Sequence, residues 1–342
     1  MEELRKKLFL MKDEKYKDFC SKLIPTINKE KFIGVRTSFL RSLAKEIYKT
    51  NEHKIVLNSL PHYYYEENQL HSFVIEQIND FIESLGLKGK FATLIICLLN
   101  MKTGELYMCN AGDNLVHIYD GNQRKMKTIT LASAPTAGIF SSDLVNIKGG
   151  FIIEKTQLNK GDVLYLYTDG IEESTRRIRN RQYQVQQQNV EVRKMNPKTH
   201  KEEIEYKTED IKEEFGVERI EQIIECVFSK QKFVLTKEQN PNAAETLAFD
   251  FSKGEGTISE SILALASIEK VYRMYKNPET QENQYIKVDR KIDEFLEKYF
   301  SEYPVYAVNK TDNQTLPNYV DYENIQEDEQ SDDLTMLAIR RL

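Results

Sequence analysis

Apolar positions fall at helical spacing through the first eighty-odd residues, and the period changes to two after Gly89. Between Ile33 and Lys49, Phe39, Leu40, Leu43, Ala44 and Ile47 share one stripe, which predicts a helix with Thr37 as N-cap. A second stripe, Leu70, Phe73, Val74, Ile78, Phe81, Ile82 and Leu85, predicts a helix over 66–85 that stops at Gly86. The two stripes need partners, and the spacing predicts a small helical array that does not join a sheet.

From Phe91 the segments "FATLIICLL", "GELYMCNA", "NLVHIYDG", "MKTITLA", "FIIEKTQL" and "VLYLYTDG" follow one another. Turn signals such as Lys102-Thr103-Gly104 and Asp120-Gly121 separate them, and connections this short predict an antiparallel meander. Alternation around Val190 and Val192 predicts a hairpin inside the charged stretch 175–212, which reads as a surface insertion. Helical spacing returns at 215–228, 259–276 and 289–300, with "KGEGT" (253–257) a turn before the second of these. "LTMLAIRR" near the end predicts a last strand that joins those of 91–168 in one antiparallel core.

With 342 residues, 40% hydrophobic and 30% charged, the chain has a soluble globular composition and is long enough for two cores. No apolar run reaches the length of a membrane span, and the start carries acids where a leader would be apolar. Cys20, Cys97, Cys109 and Cys226 lie far apart without a CxxC, which suits small core residues in a reducing compartment, so a cytoplasmic location is expected. Net charge is −6, yet residues 1–58 carry fourteen Lys or Arg against eight Asp or Glu. The remainder is strongly acidic, and that argues against a nucleic-acid partner for the bulk of the chain. There is no P-loop, dinucleotide fingerprint or nucleophile elbow, and the five histidines share no ligand spacing.

The chemistry that remains rests on carboxylates. Asp169 ends the strand pattern "VLYLYTDG", and Asp332 and Asp333 stand just before the last strand. In an antiparallel sheet the end of one strand lies beside the start of its neighbour, so these acids can meet. Clustered carboxylates repel unless a cation neutralises them. An oxygen-only ligand set selects hard ions, Mg²⁺ or Mn²⁺, whose bound water is a nucleophile for a phosphate ester. Asp113, at another strand–turn junction, is the third candidate ligand. No side chain stands out as a catalytic group of its own.

"FATLIICLLNMKTGELYMCNAGDNLVHIYDG", "APTAGIF", "LNKGDVLYLYTDGIEES", "EFGVERI" and "DDLTMLAI" occur in the order of blocks found in PPM-type metal-dependent serine/threonine phosphatases of the SpoIIE-like subgroup. The resemblance spans about residues 76–342, with insertions at 175–212 and 232–328. It implies an α+β fold, an antiparallel β-sandwich flanked by helices, as a phosphatase domain over 86–342. It implies Asp169 and Asp332 as ligands of a Mn²⁺ or Mg²⁺ centre, Asp113 as the acid of an accessory metal, and Asp333 as a support of its loop. The implied activity is hydrolysis of phosphoprotein esters, with a phosphoprotein substrate or regulatory protein as partner and no membrane. The family's first Asp-Gly metal motif has no counterpart before Phe91, which implies an impaired site or an inactive regulatory or binding module.

Residues 1–80, through "GVRTSFLRSLAKEI" and "LPHYYYEENQLHSF", are similar to the N-terminus of the HEAT-like DNA alkylation repair family. That similarity sets residues 1–85 apart as a short all-α segment and offers nucleic-acid binding as a competing function. The two resemblances meet inside the 66–85 helix.

Overall fold

The computed structural model describes residues 1–25, 27–50, 52–57, 59, 62–85, 91–112, 115–147, 150–180, 182–195, 202–237, 245–277, 279, 284–287, 289–306, 319–322, 324–330 and 332–342. Two compact units emerge. One comprises residues 1–118, 128–162 and 341–342, the other residues 119–127 and 163–340. Helices and antiparallel sheets are mixed, as the resemblance implied.

The first unit opens with helices α1 (Glu2–Leu10), α2 (Glu14–Leu23), α3 (Thr37–Lys49), α4 (His53–Leu57) and α5 (Tyr65–Ser84). Thr37 is not the cap of α3: it is the first helical residue, and Arg36 holds the cap position without a side-chain bond. The expected stop at Gly86 lies outside the described residues. Leu40, Leu43, Ala44 and Ile47 of α3 bury fully against Leu70 and Val74 of α5. Each of the buried Leu, Ile and Val side chains contributes about 1.5–3 kcal/mol. The buried Glu66 carboxylate accepts the backbone N–H groups of Ile33 (2.9 Å) and Gly34 (2.7 Å), fixing the strand-like approach to α3.

Strands β1 (Leu94–Leu99), β2 (Glu105–Ala111) and, beyond β3 (Leu115–Asp120), β4 (Lys125–Thr130) and α6 (Ser142–Ile147), β5 (Ile153–Gln157) follow. The sheet order is β1–β2–β5, all antiparallel, with Cys97 opposite Met108 and Met108 opposite Glu154. The helical array does not stand apart from this sheet. Ile75 and Ile82 of α5 pack with Leu94, Ile96, Cys109 and Ala111, so α5 buries one flank in the array and another on the strands. A stripe wide enough for two contacts looks, in one dimension, the same as a stripe with one. The four cysteines are free thiols, and burial pushes Cys109 up to about 12.

In the second unit, β6 (Val163–Tyr167) precedes β7 (Thr175–Arg177), β8 (Gln187–Met195), β9 (Glu202–Asp210) and β10 (Lys212–Glu214). Next come α7 (Val217–Ser229), β11 (Lys232–Lys237), β12 (Glu245–Asp250) and α8 (Ile258–Arg273). The chain continues with β13 (Met274–Lys276), β14 (Gln284–Lys287), α9 (Arg290–Tyr299), α10 (Tyr303–Tyr306), β15 (Tyr319–Tyr322), β16 (Ile325–Glu327) and β17 (Met336–Arg340). The strands of 91–168 and the closing strand divide between two sheets rather than one, the second having the order β17–β6–β3–β4. β8 and β9 form the expected exposed hairpin, with Val190 opposite Lys207 and Val192 opposite Glu205.

The helical stripe at 259–276 ends early. After Arg273 the chain switches to β13, which pairs with β16 some fifty positions on, Met274 opposite Glu327. Thr257 caps α8 and Glu260 completes the box, which confirms "KGEGT" as the turn before it. The core of this unit sets Phe215, Ile220, Ile223 and Ile224 around Ala264, Leu265, Ile268 and Tyr272.

Candidate metal-binding turn

β6 is built from "VLYLY", whose Val163, Leu164 and Tyr165 are buried, and it lies antiparallel to β17 with Tyr167 opposite Met336. One residue beyond that register the two chains lock through Thr168. Its N–H donates to the Thr335 carbonyl (3.0 Å), its hydroxyl donates to the Asp333 carbonyl (3.1 Å), and the Thr335 N–H donates to that hydroxyl oxygen (3.2 Å). Asp169 therefore leaves β6 where the Asp332–Asp333 segment enters β17.

Gly170 makes the approach close. A Cβ there would sit 2.6 Å from the Asp333 carbonyl oxygen and 3.4 Å from the Asp332 Cβ. Only a residue without a side chain lets the two backbones come this near. The chain then turns, with the Glu173 N–H donating to the Asp169 carbonyl (2.9 Å).

On the opposite segment, Asp332 Oδ1 accepts the Asp333 N–H (2.7 Å), and the Gln330 amide donates to the Asp332 carbonyl (2.6 Å). Asp169, Asp332 and Asp333 are exposed. Among the described residues no ion pair or hydrogen bond neutralises the Asp169 carboxylate. Asp113 lies outside the described residues. Asp169 and Asp332 are thus carried on segments that touch, and among the described residues no cluster of three or more His, Cys, Asp or Glu is poised around one ion. The donor set at this edge is all oxygen, which suits Mn²⁺ or Mg²⁺ and not a soft metal.

The charged groups behind these turns are not legible in the sequence. Arg179 is buried and grips the Asp328 carboxylate with both Nη atoms, Nη1 at 2.8 Å. Arg176 donates to Glu213 (2.7 Å), and Lys270 to Glu327 (2.5 Å). Lys and Arg in a charged stretch read as solvated surface, and nothing in their spacing marks them as interior.

The family model for stage II sporulation protein E, SpoIIE, matches residues 37–220, more than half of the chain. The chain belongs to the SpoIIE family. The match takes in α3 and α5 and so begins well ahead of residue 76, where the sequence blocks first show. The expected likeness of residues 1–80 to the DNA alkylation repair family is not borne out. No curated protein matches the chain.

Among solved structures, the PP2C phosphatase domain of SpoIIE from Bacillus subtilis, with a fragment of its regulatory domain, is 19% identical over 41% of this chain and 35% of that one, with a TM-score of 0.26. The SpoIIE phosphatase domain from the same organism, presoaked with Mn, is 20% identical over 37% of this chain and 48% of that one (TM-score 0.23). The RsbU and RsbW domains of a Mycobacterium tuberculosis protein are 21% identical over 36% of this chain and 30% of that one (TM-score 0.24). The chain spans between about a third and a half of the length of these structures. Among the described residues no helix is long and apolar enough to cross a membrane.

Proposed function

We propose that this SpoIIE-family chain is a protein serine/threonine phosphatase domain whose metal edge is formed by Asp169 and Asp332. The observation that carries the reading is the close approach of Gly170 to Asp333, which sets two acid-bearing segments side by side at one sheet edge. Asp169 and Asp332 would hold Mn²⁺ or Mg²⁺, and a bound ion of this kind supplies an activated water for phosphate-ester hydrolysis. Thr168 fixes the spacing of the two segments through its three hydrogen bonds. Asp333 supports the loop with its backbone, since its carbonyl accepts the Thr168 hydroxyl. Asp113 is the third ligand in this proposal, as the family resemblance implies. A phosphoprotein or regulatory protein is the partner, and the four free thiols suit the cytoplasm.

The residues ahead of β1 favour a slow enzyme. Among the described residues before Leu94 the regular elements are helices, so no strand there offers the family's first Asp-Gly motif. A missing ligand removes charge neutralisation and water orientation together. The test is release of phosphate from a phosphoserine peptide with and without Mn²⁺, for the wild type, Asp169→Asn and Asp332→Asn. Slow Mn²⁺-dependent turnover, lost in both variants, is expected. Turnover that survives both substitutions sinks the reading. Absence of turnover, with the phosphopeptide still bound, favours a non-catalytic binding module on the same fold.

A further inference from the structure

One salt-bridged pair on α8 reaches both of the turns that carry these acids. Glu269 and Arg273 stand one helical turn apart, 1% and 2% exposed, and the Arg273 Nε donates to the Glu269 carboxylate. That carboxylate also accepts the hydroxyl of buried Ser174 (2.5 Å), five residues after Asp169. The Ser174 carbonyl in turn accepts the Phe215 N–H (2.8 Å), which closes the turn against the core.

Arg273 faces the other segment. Its Nη1 donates to Glu327 (2.5 Å) and to the Asp328 carbonyl (2.8 Å), and its Nη2 donates to Glu269 (3.3 Å) and Gln330 (3.4 Å). The Arg273 carbonyl accepts the Asp328 N–H (3.0 Å). Gln330 then passes the restraint on by donating to the Asp332 carbonyl (2.6 Å). All five guanidinium N–H groups have acceptors, a set that lysine, with three donors on a flexible stem, cannot reproduce. Asp328 is also held by Arg179, so the segment is anchored before it reaches Asp332.

We infer that Glu269 and Arg273 are positioning residues: from one helical turn they hold the Thr168–Ser174 turn and the Asp328–Asp333 segment at the mutual placement a divalent cation needs. The inference rests on the metal-edge reading above, and it assigns a role to α8, which lies beyond the 37–220 match. A pair that served only to stabilise the core would leave the two turns as well ordered as their neighbours when its outward link is cut. Gln330 is exposed and provides that cut without opening the core.

The experiment is amide hydrogen exchange on the full chain, with and without MnCl₂, beside calorimetric titration with Mn²⁺. Its subjects are the wild type, Gln330→Ala and Arg273→Lys. Gln330→Ala should melt like the wild type, exchange faster over 328–335, and bind Mn²⁺ about tenfold more weakly, the usual effect of losing a group that orients ligands. Arg273→Lys should loosen both turns, 168–174 and 328–335, while α7 and the β1–β2–β5 sheet keep their protection. Wild-type exchange in both turns of Arg273→Lys overturns the inference. So does faster exchange across the whole chain, which marks a general loss of stability. A wild type that binds no Mn²⁺ overturns the metal-edge reading instead, and the exchange in metal-free buffer still decides whether the pair orders the turns.

Discussion

The Cα of Gly170 faces the carbonyl of Asp333 so closely that one added methyl would lie 2.6 Å from that oxygen. Backbone, not a pliable side chain, is what the methyl meets. Gly170→Ala is therefore expected to push the Asp169 turn away from the Asp332 segment at a cost of about 1–3 kcal/mol. Gly216 is the contrast, with φ +77, ψ 157 and nothing within 4 Å of an added Cβ, so alanine there meets no atom and costs backbone strain alone, about 1–3 kcal/mol. Thermal melts should fall in both variants, and Mn²⁺ binding should weaken in Gly170→Ala alone. Equal Mn²⁺ binding in the two would contradict the close-packed edge.

In the helical array, His62 Nε2 and His71 Nδ1 lie 3.2 Å apart. Burial pushes both rings down from 6.5 to about 4, with the Glu67 charge opposing the shift at His62 and the His62 charge adding to it at His71. Each folded-state value is below the unfolded one, so between 6.5 and 4 the unfolded chain binds more protons than the folded chain. Stability from the pair is fully present above pH 6.5 and is lost as pH falls toward 4. Melting temperature should drop over that window, and His71→Gln should flatten the drop. A wild type that melts identically at pH 7 and pH 4.5 would rule this out.

Tyr165 and Ser261 are both fully buried, and the hydroxyls stand 2.6 Å apart. Ser261 also donates to the Ile258 carbonyl (2.8 Å), which leaves the Tyr165 O–H as the donor between them. Ser261→Ala strands that phenol in the core at a cost of about 1–3 kcal/mol. A lower urea midpoint with an unchanged slope is expected; an unchanged midpoint would mean that the phenol finds another partner.

The β8–β9 hairpin closes at its root, where the Ile211 N–H donates to the Gln186 carbonyl (2.9 Å). Its ends are already adjacent, so replacing residues 187–210 with a short glycine-serine turn should leave the melting temperature within about 4 °C of the wild type, a change below ~1 kcal/mol. A larger drop would show that the hairpin braces the core.

Period-two alternation exposed β2, β3, β5 and β6 in the sequence because strand formers between turn signals mark each of them locally, even where, as for β6 and β17, the partner lies far along the chain. β13 carries no such local mark, and its partner is distant. "MYK" continues the apolar stripe of α8, and only its pairing with β16 turns it into a strand. The same distance effect concealed Arg273, whose partners at 327, 328 and 330 come from a stretch that looks like an acidic tail. The adjacency of the segments that carry Asp169 and Asp332 was legible because antiparallel polarity puts the end of β6 beside the start of β17. The buried charges that brace them leave no periodic trace. The likeness of the first helices to a repair protein failed because amphipathic helices with similar stripes serve many folds, and the family match from residue 37 claims α3 and α5 instead.

Helix α5 buries Leu70 and Val74 among helices while Ile75 and Ile82 rest on strands that are still to leave the ribosome when α5 emerges. The last of those strands ends at Gln157, more than seventy residues after Ser84. At synthesis rates of about 5–20 residues per second that is a delay of roughly 4–15 s. Throughout it the nascent helix carries an uncovered greasy flank, which makes this stretch of translation the moment when a chaperone has most to hold.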